Sequence, residues 1–273
     1  MIPLRFRIIR PYLASFIHKR FGRPPLPEVF HWLFQPGKEK RALRYVEDRR
    51  DHGSFTEIRF YGHEQPFFYP NDASWIDFCQ TADEVFNSRN WHHFISDETP
   101  VKPNDTIVDC GAAEGLFSFY VARHVKNVYA IEPIPMWHAA MDKTFQAFDN
   151  VEVKKVGVGH ANAEMRMTND EIYSRVSAKG ELKIPIRTID SMFAEDSVPV
   201  TFLKADIEGF EFPMLLGAQE TIRENRPKIS LTMYHGSNHF LEVQEFLLNI
   251  HNDYRFRLRG IAENGNPVLM QAY

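Results

Sequence analysis

The 273-residue chain is 44% hydrophobic and 25% charged, the makeup of an ordinary globular protein able to bury a full core. Its two cysteines, Cys79 and Cys110, exclude a disulfide framework and a zinc knuckle and suit a reducing cytoplasm. The net charge of −4 conceals a basic head: residues 1–50 carry twelve Lys and Arg against Glu28, Glu39, Glu47 and Asp48, so the remainder is acidic.

Residues 2–17 place Ile2, Phe6, Ile9, Leu13, Phe16 and Ile17 at helical spacing with arginines between them, which predicts an amphipathic helix. Pro24-Pro25-Leu26-Pro27 should end it. Arg5, Arg7 and Arg10 interrupt any signal-peptide core, and no apolar run reaches the ~20 residues of a membrane span. A cytoplasmic protein is expected. Its basic head can meet an anionic membrane face or a second copy of the chain. Residues 55–61 and 67–69 read as short strands around Gly62, and a helix is expected over 72–86, capped by Asn71 or Asp72. Trp75, Trp91, His92, His93 and Phe94 are read as packing or surface residues.

From Thr106 the pattern becomes regular. Strands are expected at 106–110, 127–132, 151–156, 200–206 and 228–234. Helices are expected at 115–124, 135–148, 211–224 and 239–250. Residues 164–168 and 183–187 alternate like a strand pair around a polar loop with Gly180, and two last strands fall at 254–259 and 267–271. Strand–helix alternation of this kind builds a Rossmann-like, doubly wound, mostly parallel α/β sheet, here with a β-pair insertion.

Three blocks carry chemistry. Asp109-Cys110-Gly111-Ala112-Ala113-Glu114-Gly115 follows the first strand of this region, where glycine permits a tight turn against a ligand. Ala113 replaces the middle glycine that a dinucleotide loop requires, and no Walker lysine follows. An acidic residue ahead of this turn suits a ligand with an ammonium group. Glu132 ends the next strand, where a carboxylate can accept both hydroxyls of a ribose. Lys204-Ala205-Asp206-Ile207-Glu208-Gly209-Phe210-Glu211 closes the fourth strand, at the sheet edge where ligands bind. Continued extension would put Lys204, Asp206 and Glu208 on one face, while Glu211 suits the positive end of the next helix. Tyr234-His235-Gly236-Ser237-Asn238-His239 closes the fifth strand. His235 there has the intrinsic acidity for a general base, His239 being the weaker candidate. Asp206, Glu208 and His235 are also the candidate ligands for a divalent metal, although none is expected because the spacing fits no fixed metal motif.

The glycine loop, Ala130-Ile131-Glu132-Pro133, the Lys204–Glu211 block, Leu216-Gly217-Ala218 and Arg226-Pro227-Lys228-Ile229 resemble the FkbM family of class I methyltransferases over about residues 100–258. The resemblance implies S-adenosylmethionine as cofactor. Asp109, Gly111 and Gly115, with Ala112 and Glu114 of the same loop, would cradle its methionine part. Glu132 would hold the ribose, Gly157 and Val158 would lie near the adenine, and Asp206 would be at the methyl end. Many members carry asparagine where this chain has Glu114, whose extra charge can meet the cofactor ammonium or cap the following helix. Residues 100–273 would form the methyltransferase domain and 1–99 a basic extension and cap. Lys204, Asp206, Glu208 and His235 are the catalytic candidates. The implied reaction is O-methylation of a sugar hydroxyl in a glycan or a nucleotide-linked precursor. Alternatives are a natural-product hydroxyl, the nitrogen of an amino sugar, or a non-catalytic module that keeps the fold. Nucleic acid is not an expected partner, since no Asn-Pro-Pro-Tyr type motif follows the fourth strand.

Overall fold

In the computed structural model, residues 6–15, 23–167, 182–194, 198–235 and 239–273 are described. Gly180, 236–238 and the side chain of His239 lie outside them, as do residues 2–5 and 16–17 of the helix expected over 2–17. Within its described residues 6–15 the helix is α1 (Ile9–Ala14). The proline-rich stretch opens a helix rather than closing one: α2 (Leu26–Phe34) has Pro25 as its N-cap and Pro27 in its first turn, where a missing N–H costs nothing. After α3 (Lys38–Ala42), β1 (Val46–His52), β2 (Phe55–Phe60) and β3 (Phe67–Pro70) form an antiparallel sheet. Next comes α4 (Trp75–Phe86), whose cap is Ser74, accepting from the Asp77 amide, instead of Asn71 or Asp72.

The remainder follows the expected alternation. Its first half comprises β4 (Thr106–Cys110), α5 (Leu116–Ala122), β5 (Asn127–Ile131), α6 (Pro135–Phe145), β6 (Val151–Lys154), β7 (Gly157–Val158), β8 (Ala163–Met167) and β9 (Leu182–Arg187). Then come α7 (Ile189–Phe193), β10 (Phe202–Ala205), α8 (Glu211–Leu216), α9 (Gln219–Asn225), β11 (Lys228–Thr232), α10 (His239–Ile250), β12 (Phe256–Arg259) and β13 (Leu269–Ala272). The single helix expected over 211–224 is two, because Asp190 of α7 takes the amides of Glu220 and Thr221 at 3.1 and 2.8 Å and starts α9 afresh.

Seven strands lie in the order β12-β13-β11-β10-β4-β5-β6, parallel from β6 to β11 and antiparallel at β13 and β12. Alternate residues feed opposite layers. Ile107 and Phe202 enter the core shared with α4, α5 and α6, whereas Val108 and Leu203 enter the one shared with α8, α9 and α10. The sheet order reverses between β4 and β10, and a doubly wound sheet opens its ligand crevice at such a point. The expected β-pair insertion is present as β8 and β9, antiparallel, with β7 joined to β9 in parallel.

Residues 42–101 contribute to the first of these cores, while Ile8, Tyr12, Val29 and Leu33 pack in a separate cluster with Trp91, Ile261 and Val268. Phe60, Phe67 and Phe78 are fully buried against Phe119 of α5. Arg41 of α3 holds buried Asp83 of α4 at 2.8 Å. These contacts fix α4 beside the crevice. No helix among the described residues is long and apolar enough to cross a membrane.

Candidate active site

The loop after β4 is built on a buried ion pair. Asp109 is wholly buried, with one carboxylate oxygen 2.8 Å from Lys204 Nζ and the other accepting from Ser118 Oγ at 2.7 Å. Lys204 also donates to the Gly111 carbonyl at 2.8 Å. Burial alone would lower the Lys204 pKa, but Asp109 and Asp206 more than offset it and hold the ammonium charged. Asp109 therefore lies beneath the loop and does not line the cavity; its place is structural support. Gly111 is needed for a reason the sequence concealed. At φ +71 a Cβ there would sit 2.1 Å from the backbone oxygen of Asp206, so the neighbouring strand end dictates glycine. Gly115, at φ +86, starts α5 and faces the Phe145 ring of α6, also away from the cavity.

Ala113 adopts φ +48, the left-handed conformation a glycine would take at ease. That turns its amide onto Glu132, whose two carboxylate oxygens accept from Ala113 N and Ile134 N at 2.8 Å each. Burial pushes Glu132 up to about 7 despite these bonds. Glu114, only 2% exposed, faces the same cavity with Oε1 unpartnered, and burial pushes it up to about 7 as well. A buried carboxylate with one unpartnered oxygen, beside a positioned one, fits a ligand bearing an ammonium group and vicinal hydroxyls, so these residues suit S-adenosylmethionine.

The cavity continues from this loop along Pro133, Trp137, Gly157, Val158, Ile184 and Ile186 in one direction. In the other it reaches Asp77, Gln80, Thr81 and Glu84 of α4, then Phe94, Asp206, Glu208, Phe210 and Tyr234. Burial, reinforced by Asp206, pushes Glu84 up to about 8. Sequence reasoning found the loop, Glu132, Gly157, Val158, Asp206 and Glu208. It missed the whole α4 wall and the isoleucines of β9, for which only the acidic face of an amphipathic helix gave any signal. Phe94 lines the cavity. Trp91 is buried against Trp32, and Trp75 packs under Arg49 away from the site.

The strand extension expected after Lys204 does not occur. The chain turns at Glu208 (φ +54) and Gly209 (φ +97), yet Lys204, Asp206 and Glu208 all line the cavity. His235 does not line the cavity. Its Nδ1 lies 3.1 Å from Glu211 Oε1 and its Nε2 3.4 Å from Glu208 Oε2. Burial would lower its pKa, but the Glu211 hydrogen bond and the charges of Asp206 and Glu208 raise it. The imidazole thus sits among carboxylates that favour its charged form and does not face the cavity. Glu211 does more than favour a helix end: fully buried, it takes the Ile207 amide at 3.2 Å and shares Thr232 Oγ1, 3.1 Å away, with Asp206. Asp206, Glu211 and His235 bring donor atoms within 4.8 Å of one another, close enough to hold one cation, with Glu211 replacing the expected Glu208.

A seven-stranded sheet with an antiparallel penultimate strand, a ligand loop after its central strand and an acid ending the next defines a class I S-adenosylmethionine-dependent methyltransferase fold. The sequence matches the Methyltransferase FkbM domain over residues 109–258, and the chain belongs to that family. Among solved structures it is similar to methyltransferase FkbM from Methylobacillus flagellatus KT, at 22% identity and TM-score 0.50, over 71% of this chain and 54% of that one. The chain thus spans about half the length of that relative. It also matches an rRNA methylase from Streptococcus thermophilus (13% identity, TM-score 0.41, 63% of this chain and 87% of that one). A third is M. jannaschii TYW2 in complex with AdoMet (14%, TM-score 0.42, 82% and 86%). No curated protein matches.

Proposed function

We propose that the chain transfers a methyl group from S-adenosylmethionine to a hydroxyl of a neutral or amine-bearing saccharide. Charge carries this reading. Asp77, Glu84, Glu114, Glu132, Asp206 and Glu208 face the cavity, and the one Lys or Arg among its described lining residues, Lys204, is already matched by Asp109. A nucleotide-linked acceptor would set phosphates against these acids with no cation to receive them. Sugar hydroxyls, by contrast, find acceptors on every side. Methyltransferase assays by S-adenosylhomocysteine release, comparing neutral glycans and amino sugars with nucleotide sugars, test it. Preference for the nucleotide sugars would refute the reading.

In this reading the bound cofactor supplies a methyl group activated on a sulfonium. Glu114 receives its ammonium, Glu132 its ribose hydroxyls, and Val158 with Ile184 and Ile186 flanks the adenine. Asp206 faces the acceptor and takes its proton, with His235 and Glu211 holding Asp206 in place. Glu132→Ala should weaken cofactor binding by ~1.5–3 kcal/mol, the loss expected for hydrogen bonds to a charged group, read by calorimetry.

Cofactor affinity should also depend on pH. Glu114 and Glu132 are pushed up to about 7 in the free protein, so both gain protons below that value. An ammonium binds the carboxylate form, so affinity should fall as pH drops through about 7. Glu114→Gln should lower the affinity above that pH and flatten its dependence. Calorimetric titrations a unit either side decide it; identical affinities would remove Glu114 from the ammonium site.

A further inference from the structure

The helix α2 is apolar on both sides. Val29 and Leu33 are buried in a small cluster with Ile8, Tyr12, Trp91, Ile261 and Val268. On its outer side Leu26, Phe30 and Phe34, spaced four apart, are 53, 57 and 69% exposed, and the two phenylalanine rings stack on one another at 6.1 Å. α1 enters the same cluster through Tyr12 and leaves Leu13 59% exposed. Nine residues of α2 include one charged side chain, Glu28, and that one accepts from Trp91 Nε1. A surface helix built this way covers something, since its outer stripe has no other reason to be apolar.

The charge around the stripe names the occupant. The described residues 6–15 and 23–27 carry Arg7, Arg10 and Arg23 and no acid, in a chain whose net charge is −4, and Arg7 also meets Glu263 at 3.5 Å. We propose that α1 and α2 form a docking face for an anionic lipid bilayer: the aromatic stripe enters the headgroup boundary while the basic residues meet lipid phosphates. Basic residues beside an aromatic stripe are the composition with which surface helices meet anionic membranes. The face lies outside the cavity, so docking leaves the active site intact and sets it to work on saccharides held at a membrane.

The full chain is tested by co-sedimentation with vesicles of phosphatidylcholine alone and of phosphatidylcholine mixed with phosphatidylglycerol. Binding is expected to the mixed vesicles only and to weaken with added salt. Phe30→Ser/Phe34→Ser should lower the bound fraction roughly tenfold or more while S-adenosylmethionine affinity and circular dichroism stay unchanged. Arg10→Glu should lower it without touching the stripe. No sedimentation of the wild-type chain with either vesicle, or equal sedimentation of the double serine variant, overturns the proposal. So does a dimer, seen by light scattering, that the serine variant dissolves, because the stripe would then belong to a second copy.

Discussion

Asp206→Asn should cut turnover by ~10²–10⁴, the range for loss of a general base, while S-adenosylmethionine affinity changes little. Of the acids at the fourth-strand edge, Asp206 both faces the cavity and is held from behind. Its amide donates to the Cys110 carbonyl at 3.1 Å, and its Oδ1 lies 3.1 Å from Thr232 Oγ1. The imidazole of His235 occupies the far side of the same cluster, bound to Glu211 and beside Glu208. We propose it as a positioning residue. His235→Gln should therefore lower kcat by less than Asp206→Asn and leave the acceptor KM nearly unchanged. Equal losses in the two variants, or a larger one at His235, would make the imidazole the base and Asp206 its support. Chelation supplies a separate check, because Asp206, Glu211 and His235 can hold a cation. Activity abolished by a chelator and restored by manganese would assign the cluster to metal binding in place of proton transfer.

The parts of this site that were legible in the sequence share one property: they are local. The loop from Asp109 to Gly115, Glu132 at the next strand end and the acids after Lys204 each lie at the carboxyl end of a strand, and strand ends are marked by short apolar runs. What the sequence concealed depends on distant neighbours. Gly111 is required by the carbonyl of Asp206, ninety-five positions away, and Glu84 reaches the cavity because Arg41 and an aromatic cluster hold α4 against the sheet. The proline-rich stretch was misread as a stop because proline is equally at home at a helix start, and only the following Val29 and Leu33 decide between the two. The extension assumed after Lys204 failed at Glu208, since an αL glutamate has no sequence signature.

Lys204 is where the catalytic and the structural readings of a buried charge separate by energy. As a catalytic group it would be dispensable to folding. In the structure it is 5% exposed at its side chain and bonded to wholly buried Asp109. Removing one partner of such a pair leaves the other charge buried and uncompensated, at ~3–5 kcal/mol. Lys204→Met should therefore lower stability by that amount, read as the urea midpoint with an unchanged slope, and should free the Gly111 carbonyl it fixes. Asp109→Leu alone should be comparably destabilising, because it strands the ammonium and orphans Ser118 Oγ. The double variant Lys204→Met/Asp109→Leu should recover much of the lost stability, since replacing both ions with apolar groups of similar volume removes the buried charge altogether. Catalytic chemistry at Lys204 predicts the opposite pattern: normal stability in Lys204→Met with turnover lost. Recovery of stability in the double variant, with a cofactor affinity that follows it, places the lysine in the floor of the loop.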